Sequence, residues 1–137
     1  MKANISQIVN AYNALENIKT TSFEVADFTA VLGARRLLRP HVEDFRAFEH
    51  DAREKLKPEN YDTLVEIEGR IKDATEEEKR TYQEGASAYL KAVADAINAE
   101  FSAAVEIDFS FPIETAAKIA KNEGWTIDQA EVLSILM

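Results

Sequence analysis

The 137-residue sequence has no cysteine and few residues that break secondary structure. Without cysteine, the chain has no disulfide, no thiolate nucleophile and no cysteine-ligated zinc site. Four glycines and three prolines, beside 46% hydrophobic residues, are typical of an ordered globular protein rather than a disordered one. The glycines stand at positions 33, 69, 85 and 124, so they cannot build either of the common glycine-rich nucleotide-binding motifs.

Long apolar runs are also absent. No stretch approaches the roughly 18 consecutive apolar residues that a membrane-spanning helix requires. Asn and Gln interrupt the apolar positions of the N-terminal segment, which therefore lacks the continuous apolar core of a signal peptide. These observations predict a soluble, non-secreted protein without a membrane partner, and the missing cysteines suit a reducing cytoplasm.

Histidine is scarce, which limits the chemistry open to a catalytic or metal site. His41 and His50 are the two histidines of the chain, and their spacing places them on opposite sides of a straight helix. The sequence contains no zinc-protease motif and no Gly-x-Ser-x-Gly nucleophile motif. It therefore predicts no catalytic residue, no metal and no cofactor, and it favours a protein that is not an enzyme. An enzyme with a dispersed site is a further alternative.

The chain is acidic, with 25 acidic and 16 basic residues and a formal net charge of −9. Nucleic acids and anionic membranes repel such a surface unless a local basic patch attracts them. Arg35, Arg36 and Arg39 form the best basic patch, and Glu43 lies one helical turn beyond Arg39, which weakens it. We therefore expect no direct binding to nucleic acid. An acidic surface also suits a protein that imitates nucleic acid and so inhibits a nuclease.

Three segments have the apolar periodicity of amphipathic helices. The first covers residues 4–19. The second, residues 22–57, keeps its apolar register across Pro40, which predicts a long helix kinked there or two helices meeting there. The third begins after Thr75, which forms a capping box with Glu78. We expect the second and third segments to pack together as an antiparallel helical hairpin.

Two segments alternate apolar and polar residues, as half-buried strands do. Residues 64–72 alternate around Gly69, although a weaker helical interpretation from Tyr61 to Ile71 is also possible. Residues 105–111, VEIDFSF, alternate more strictly. We expect the two segments to form a small two-stranded β element. Because two strands alone are marginal, their apolar face must be covered by this chain's helices or by another chain.

The second of these segments carries a pair of carboxylates, Glu106 and Asp108. On a strand they share one face at about 7 Å, and such a pair can bind Mg²⁺ or divide acid and base roles. No persuasive acid-x-lysine arrangement accompanies them. We interpret both as the solvent face of the strand, where charge discourages edge-to-edge aggregation.

Beyond this segment the sequence predicts two short helices. The first covers residues 113–122, and Gly124 is well placed to terminate it. The second begins at Thr126, which forms a capping box with Gln129, and Trp125 precedes the cap as a candidate staple. The final residues, EVLSILM, are largely apolar, so we expect them to pack against the chain's own core or a second subunit.

The layout resembles that of small, uncharacterised proteins encoded by tailed phages and prophages. The features in common are the early helix IVNAYNALENI, a long central helical pair and the tail EFSAAVEIDFSFPIETAAKIA…WTIDQAEVLSILM. The resemblance covers most of the chain and carries no established activity or catalytic residue. It implies a phage accessory or assembly protein that acts in the bacterial cytoplasm.

Together, these features predict a single domain over residues 1–137. Its fold class is mainly α (α+β), with an N-terminal helix, a long antiparallel helical hairpin, a two-stranded β element and two short C-terminal helices. We expect it to act by protein–protein interaction, with itself or with a host protein, as a homo-oligomeric assembly factor. Inhibition of a host nuclease or defence complex through the acidic surface is the alternative. The residues expected to contact the partner are Phe109, Phe111, Trp125, Glu106 and Asp108.

Overall fold

The computed structural model describes residues 1–121 and 126–137. It contains two strands, β1 (Lys2–Asn4) and β2 (Ala104–Glu106). Its helices are α1 (Ile5–Leu15), α2 (Val25–Lys55), α3 (Tyr61–Gly69), α4 (Glu76–Phe101), α5 (Ile113–Ala120) and α6 (Ile127–Val132). Short 3-10 turns follow α3 at Ile71–Asp73 and α6 at Ser134–Leu136. The predicted fold class is confirmed: long helices dominate, with a small antiparallel sheet and short C-terminal helices.

The chain divides into two compact units. Unit 1 comprises Met1–Arg46 and Phe101–Met137, and unit 2 comprises Ala47–Glu100. Helix α2 therefore begins in unit 1 and ends in unit 2, whereas α3 lies wholly within unit 2.

Helix α1 supplies much of the unit 1 core. It begins at a capping box, in which the Asn4 side chain accepts from the Gln7 backbone N–H at 2.8 Å and the Gln7 side chain accepts from the Asn4 backbone N–H at 2.9 Å. This reciprocal pair satisfies two N–H groups that a helix start would otherwise leave unpaired. The predicted apolar face of this helix is buried, and its buried residues are Ile5, Ile8, Ala11, Tyr12 and Leu15.

The small sheet forms from a different pair of segments than the alternation predicts. β1 pairs with β2 in antiparallel register, with Lys2 opposite Glu106. Residues 64–72 are not a strand but the end of α3 and the turn after it. Gly69 is the last residue of α3, so its low helix propensity falls where a helix ends and glycine is well tolerated. The helical interpretation of this segment was therefore the right one.

Helix α2 is continuous over 31 residues with Pro40 inside it, so the long-helix prediction is confirmed and the two-helix alternative is wrong. Its partner α4 starts at the predicted capping box: Thr75 Oγ1 accepts from the Glu78 N–H, and Glu78 Oε1 accepts from the Thr75 N–H, both at 3.1 Å. Phe45 of α2 stacks on Phe101 of α4 with ring centroids 4.6 Å apart.

The C-terminal residues pack into unit 1. Thr126 and Gln129 form the predicted capping box at the start of α6, whereas Gly124 lies outside the described residues. The Phe111 N–H donates to the Leu136 carbonyl at 2.7 Å. The apolar tail is covered by its own chain, through the buried residues Leu133, Ile135 and Leu136.

The two units differ in how much apolar side chain they bury. In unit 2, all of whose residues are described, the buried apolar residues are Leu64, Ile67 and Val93, against sixteen in the described part of unit 1. Units of this size bury a limited fraction of their surface and are marginal on their own. Unit 2 therefore has a thin core and leaves apolar side chains at its surface.

Candidate interaction surfaces

The two carboxylates of the 105–111 segment lie at the surface of unit 1. Glu106 and Asp108 are both exposed. Glu106 Oε1 accepts from the Met1 ammonium group at 2.9 Å, which ties the end of β1 to β2. Among the described residues, no group of three His, Asp or Glu side chains is arranged to hold a metal ion. Glu106 is the last residue of β2, whereas Asp108 lies beyond the end of the strand. The strand predicted over residues 105–111 is therefore formed at Val105 and Glu106 alone, and the rest of the segment is not part of the sheet.

The aromatic residues of that segment lie against their own chain. Phe111 is 5% exposed, and its ring meets the half-buried ring of Phe109 edge-on, with centroids 5.4 Å apart. Phe109 Cε2 lies 3.6 Å from the position that a Cβ on Gly33 would take, so the ring packs on the backbone of α2. The apolar face of this segment is thus covered in cis. Trp125, predicted as a further partner contact, lies outside the described residues.

A buried polar cluster joins α2 to α5 inside unit 1. Asp27 is 3% exposed and accepts from the Thr115 hydroxyl at 2.6 Å and from the Lys118 ammonium group. It also accepts from the Glu24 backbone N–H at 2.8 Å. Lys118, Thr115 and that N–H lower the pKa of Asp27 to about 2. A carboxylate held ionised by three donors is a structural tie and a poor proton acceptor near neutral pH.

A second polar cluster surrounds Tyr12, whose hydroxyl accepts from Arg39 Nε at 3.3 Å and from Arg35 at 3.5 Å. The Arg35 guanidinium also lies over the Tyr12 ring, 5.4 Å from its centroid, and 3.8 Å from Glu16. Two of the three arginines of the predicted basic patch are therefore engaged within the chain. Their hydrogen bonds lower the pKa of Tyr12.

A concave surface lies in unit 2, between α3 and α4. It is a cleft of about 220 Å³. Glu68 lines it as a carboxylate, and Val65 and Leu90 at its edge are 48% and 60% exposed. The remaining lining residues are apolar or aromatic: Tyr61, Leu64, Tyr82, Ala86 and Tyr89. Large apolar side chains that stay exposed around a cleft are typical of a protein-binding surface.

The walls of this cleft are fixed by contacts within unit 2. The Tyr89 hydroxyl donates to the Arg53 carbonyl at 2.7 Å, and its ring meets the Tyr61 ring with centroids 5.7 Å apart. The Lys57 ammonium group also lies over the Tyr61 ring, 4.6 Å from its centroid. Both rings are therefore held in place by contacts within unit 2, and a surface ordered in this way loses less entropy when it is covered.

Gly85 allows α3 and α4 to approach closely beneath the cleft. A Cβ at this position would lie 2.7 Å from Leu64 Cδ1 and 3.0 Å from Leu64 Cδ2. Leu64 is buried and forms the floor of the cleft. The glycine therefore sets the depth of the cleft, since a larger residue would push Leu64 away.

A second exposed apolar feature lies on the first half of α2, in unit 1. Val25, Phe28 and Leu32 are 81%, 43% and 47% exposed, and their spacing places them on one face of the helix. Arg36 and Arg39 continue the same face and are exposed. We call these five residues the α2 stripe. Phe23 meets Phe28 edge-on, with centroids 5.7 Å apart, and so supports its ring.

Both surfaces include residues that apolar periodicity assigns to the helical core. Phe28 and Leu32 continue the apolar stripe of the long helix, and Tyr82 and Tyr89 belong to the seam of the third predicted helix. Periodicity identifies the apolar face of a helix, but it does not show which part of that face becomes buried in the fold. One sequence signal could have identified the cleft. Glu68 lies one helical turn after Leu64 and Val65 on the same face of α3, which places a carboxylate within an otherwise apolar face.

Comparison with protein-family models, with curated proteins and with solved structures found no match. No helix within residues 1–121 and 126–137 is long and apolar enough to span a membrane.

Proposed function

We propose that the protein is a non-enzymatic interaction module that binds protein through the cleft between α3 and α4 and assembles with itself. The observation that carries the proposal is the exposure of Val65 and Leu90 at the edge of a preformed, aromatic-lined cleft. Binding of a partner that buries these side chains is favourable, because it removes from water apolar surface that the fold of unit 2 leaves exposed.

The thin core of unit 2 supports this proposal. Its buried apolar residues are three in number, so the unit gains less from folding alone than a well-covered domain does. Association covers additional apolar surface and stabilises the folded state by mass action. A second copy of the chain can serve as the partner, because each copy carries the same exposed apolar surfaces.

The resemblance to small proteins of tailed phages and prophages suggests the setting. In that setting the protein is an accessory or assembly factor that acts in the cytoplasm of a bacterial host. Its partner is then either a second copy or a host protein. This part of the proposal rests on the sequence patterns alone.

The direct test is sedimentation velocity of the full chain from micromolar to millimolar concentration. We expect the wild type to associate and Val65→Asp to remain monomeric, because the substitution places a charge in the apolar edge of the cleft. Thr63→Asp is the matched control, since Thr63 is exposed on the same helix but does not line the cleft. A wild-type protein that stays monomeric at every concentration contradicts the self-assembly part of the proposal.

A second function, inhibition of a host nuclease or defence complex, is favoured by the distribution of charge. Unit 2 has 14 acidic and 8 basic residues, so it holds −6 of the net charge of −9. An acidic surface of this kind can compete with nucleic acid for a basic binding site. The test is degradation of linear duplex DNA in bacterial extract with and without the protein. Inhibition that Glu76→Lys/Glu77→Lys weakens supports this function, and undiminished degradation contradicts it.

A further inference from the structure

We infer that the occupant of the cleft is the α2 stripe of a second copy, so that each contact between copies joins two unlike surfaces. This inference rests on the proposed self-assembly and names the two surfaces that meet. It follows from three properties of those surfaces: their charge, their apolar content and their location on different parts of the chain.

Charge distinguishes the two surfaces. The cleft includes Glu68 and belongs to a unit with a net charge of −6. Residues 28–42, which hold most of the α2 stripe, contain three arginines and no acidic residue. Arg35 and Arg39 also donate to the Tyr12 hydroxyl, so Arg36 is the exposed arginine of the stripe that lies outside that cluster. Two clefts facing one another would bring two acidic units together, which costs free energy, whereas a cleft facing the stripe pairs opposite charges. The charges therefore favour contact between unlike surfaces.

The apolar contents also match. The cleft volume of about 220 Å³ is several times the roughly 30 Å³ that one water molecule occupies in the liquid, so it has room for a large side chain. Phe28 stands in the middle of the apolar part of the stripe and provides an aromatic ring at 43% exposure. Binding of a helix through residues spaced three and four apart is a common mode of recognition in grooves. Phe28 is thus the anchor, with Val25 and Leu32 on either side.

The location of the surfaces on different units leaves two types of assembly open, which the molar mass of the wild-type assembly distinguishes. The stripe lies in unit 1 and the cleft in unit 2, so one contact leaves a free stripe on one copy and a free cleft on the other. Such a heterologous interface produces a ring if the rotation between copies closes and a filament if it does not. A two-fold dimer, in which each copy places its stripe in the cleft of the other, leaves neither surface free and stops at two copies.

The decisive experiment mixes two variants that each lack one surface. Leu32→Asp disables the stripe and Val65→Asp disables the cleft, and both positions are about half exposed, so the fold tolerates the change. We expect each variant alone to associate at least about thirtyfold more weakly than the wild type, as loss of a binding hot spot predicts. A one-to-one mixture should form a heterodimer with one intact interface and nothing larger. Circular dichroism and thermal unfolding confirm that both variants are folded.

The alternatives give distinct results in sedimentation velocity and light scattering. If Leu32→Asp alone still dimerises, the interface joins two clefts, and if Val65→Asp alone does, it joins two stripes. Either result, or a mixture that stays monomeric while the wild type associates, overturns the inference and leaves self-assembly standing. A wild-type protein that never associates overturns both proposals.

Charge variants provide an independent check on the same interface. We expect Arg36→Glu to weaken wild-type association by about two- to fivefold, the range for one exposed ion pair. We also expect association to weaken as salt rises, because salt screens exposed charges. Lys91→Glu is the matched control, since Lys91 is exposed on α4 but does not line the cleft. An association that Arg36→Glu leaves unchanged, and that salt strengthens, contradicts the role assigned to charge.

Discussion

The ammonium group of Lys118 donates to the buried carboxylate of Asp27, which lies 91 residues earlier in the chain. The contact fixes the start of α2 against α5 and is completed by the Thr115 hydroxyl at 2.6 Å. Because all donors face a single carboxylate, the cluster depends on the ionisation of Asp27. Unit 1 therefore has a pH-sensitive tie at its centre.

We predict that Asp27 makes the stability of the protein fall at acidic pH. Its pKa is lowered to about 2 in the folded state, against about 3.9 for an unperturbed aspartate in the unfolded chain. A lowered pKa gives stability that is fully present above about pH 4 and is lost as the pH falls from there through about 2. The measurement is urea unfolding at pH 7 and between about pH 4 and 2. We expect Asp27→Asn to have a lower free energy of unfolding than the wild type at pH 7, and to lose less of it as the pH falls.

The control for this prediction is Asp44→Asn, which removes an exposed carboxylate of the same helix. It should leave both the stability at pH 7 and the acid dependence close to those of the wild type. An Asp27→Asn variant that is as stable as the wild type at pH 7 would contradict the structural role given to the cluster.

The sequence predicts local features well. The capping boxes of Thr75 with Glu78 and of Thr126 with Gln129 form as predicted, because they depend on residues three apart. The long helix through Pro40 was one of two predicted alternatives, and it forms because a continuous apolar face outweighs one lost backbone hydrogen bond. The strand predicted from the alternation over residues 64–72 was wrong. The same residues fit a helix, and Gly69 is the last residue of that helix.

Long-range partners could not be predicted. Nothing local distinguishes β1 as the partner of β2, because pairing depends on which segments the helices bring together. The same holds for the cleft, since exposure of Val65 and Leu90 depends on how far the packing of α3 on α4 extends. The sequence indicated that Phe109 and Phe111 need a cover, and the structure shows that their own chain provides it.

The close approach of Gly85 to Leu64 makes a second prediction. Gly85→Ala should gain about 1 kcal/mol of helix propensity but lose about 1–3 kcal/mol through overpacking, because the new Cβ would lie 2.7 Å from Leu64 Cδ1. We expect a net loss of about 1 kcal/mol in the free energy of unfolding, measured with urea. In a Leu64→Ala background the clash is absent, and the same change should stabilise. Stabilisation in both backgrounds would show that α3 and α4 lie further apart than described.

The position of Phe111 makes a third prediction. The residue is 5% exposed and packs on Phe109, so Phe111→Ala should cost about 3–5 kcal/mol of unfolding free energy, as large core truncations do. This is a large share of the stability of a typical domain. Ser110→Ala, at an exposed neighbouring position, serves as control in the same urea titration. A Phe111→Ala variant with wild-type stability but altered association would instead make this residue a partner contact.

The hydrogen bonds of Tyr12 lead to a prediction about stability at alkaline pH. Its hydroxyl accepts hydrogen bonds from Arg39 and Arg35, which favour the phenolate and lower its pKa below the ordinary value of 10.0. A lowered pKa adds stability as the pH rises from the folded-state pKa to the unfolded one, so the wild type should gain stability relative to Tyr12→Phe over this range. The ultraviolet difference titration between the two proteins isolates this residue and should have its midpoint below pH 10. A midpoint at or above 10, with no gain in relative stability, would mean that the two guanidinium groups do not act on the hydroxyl.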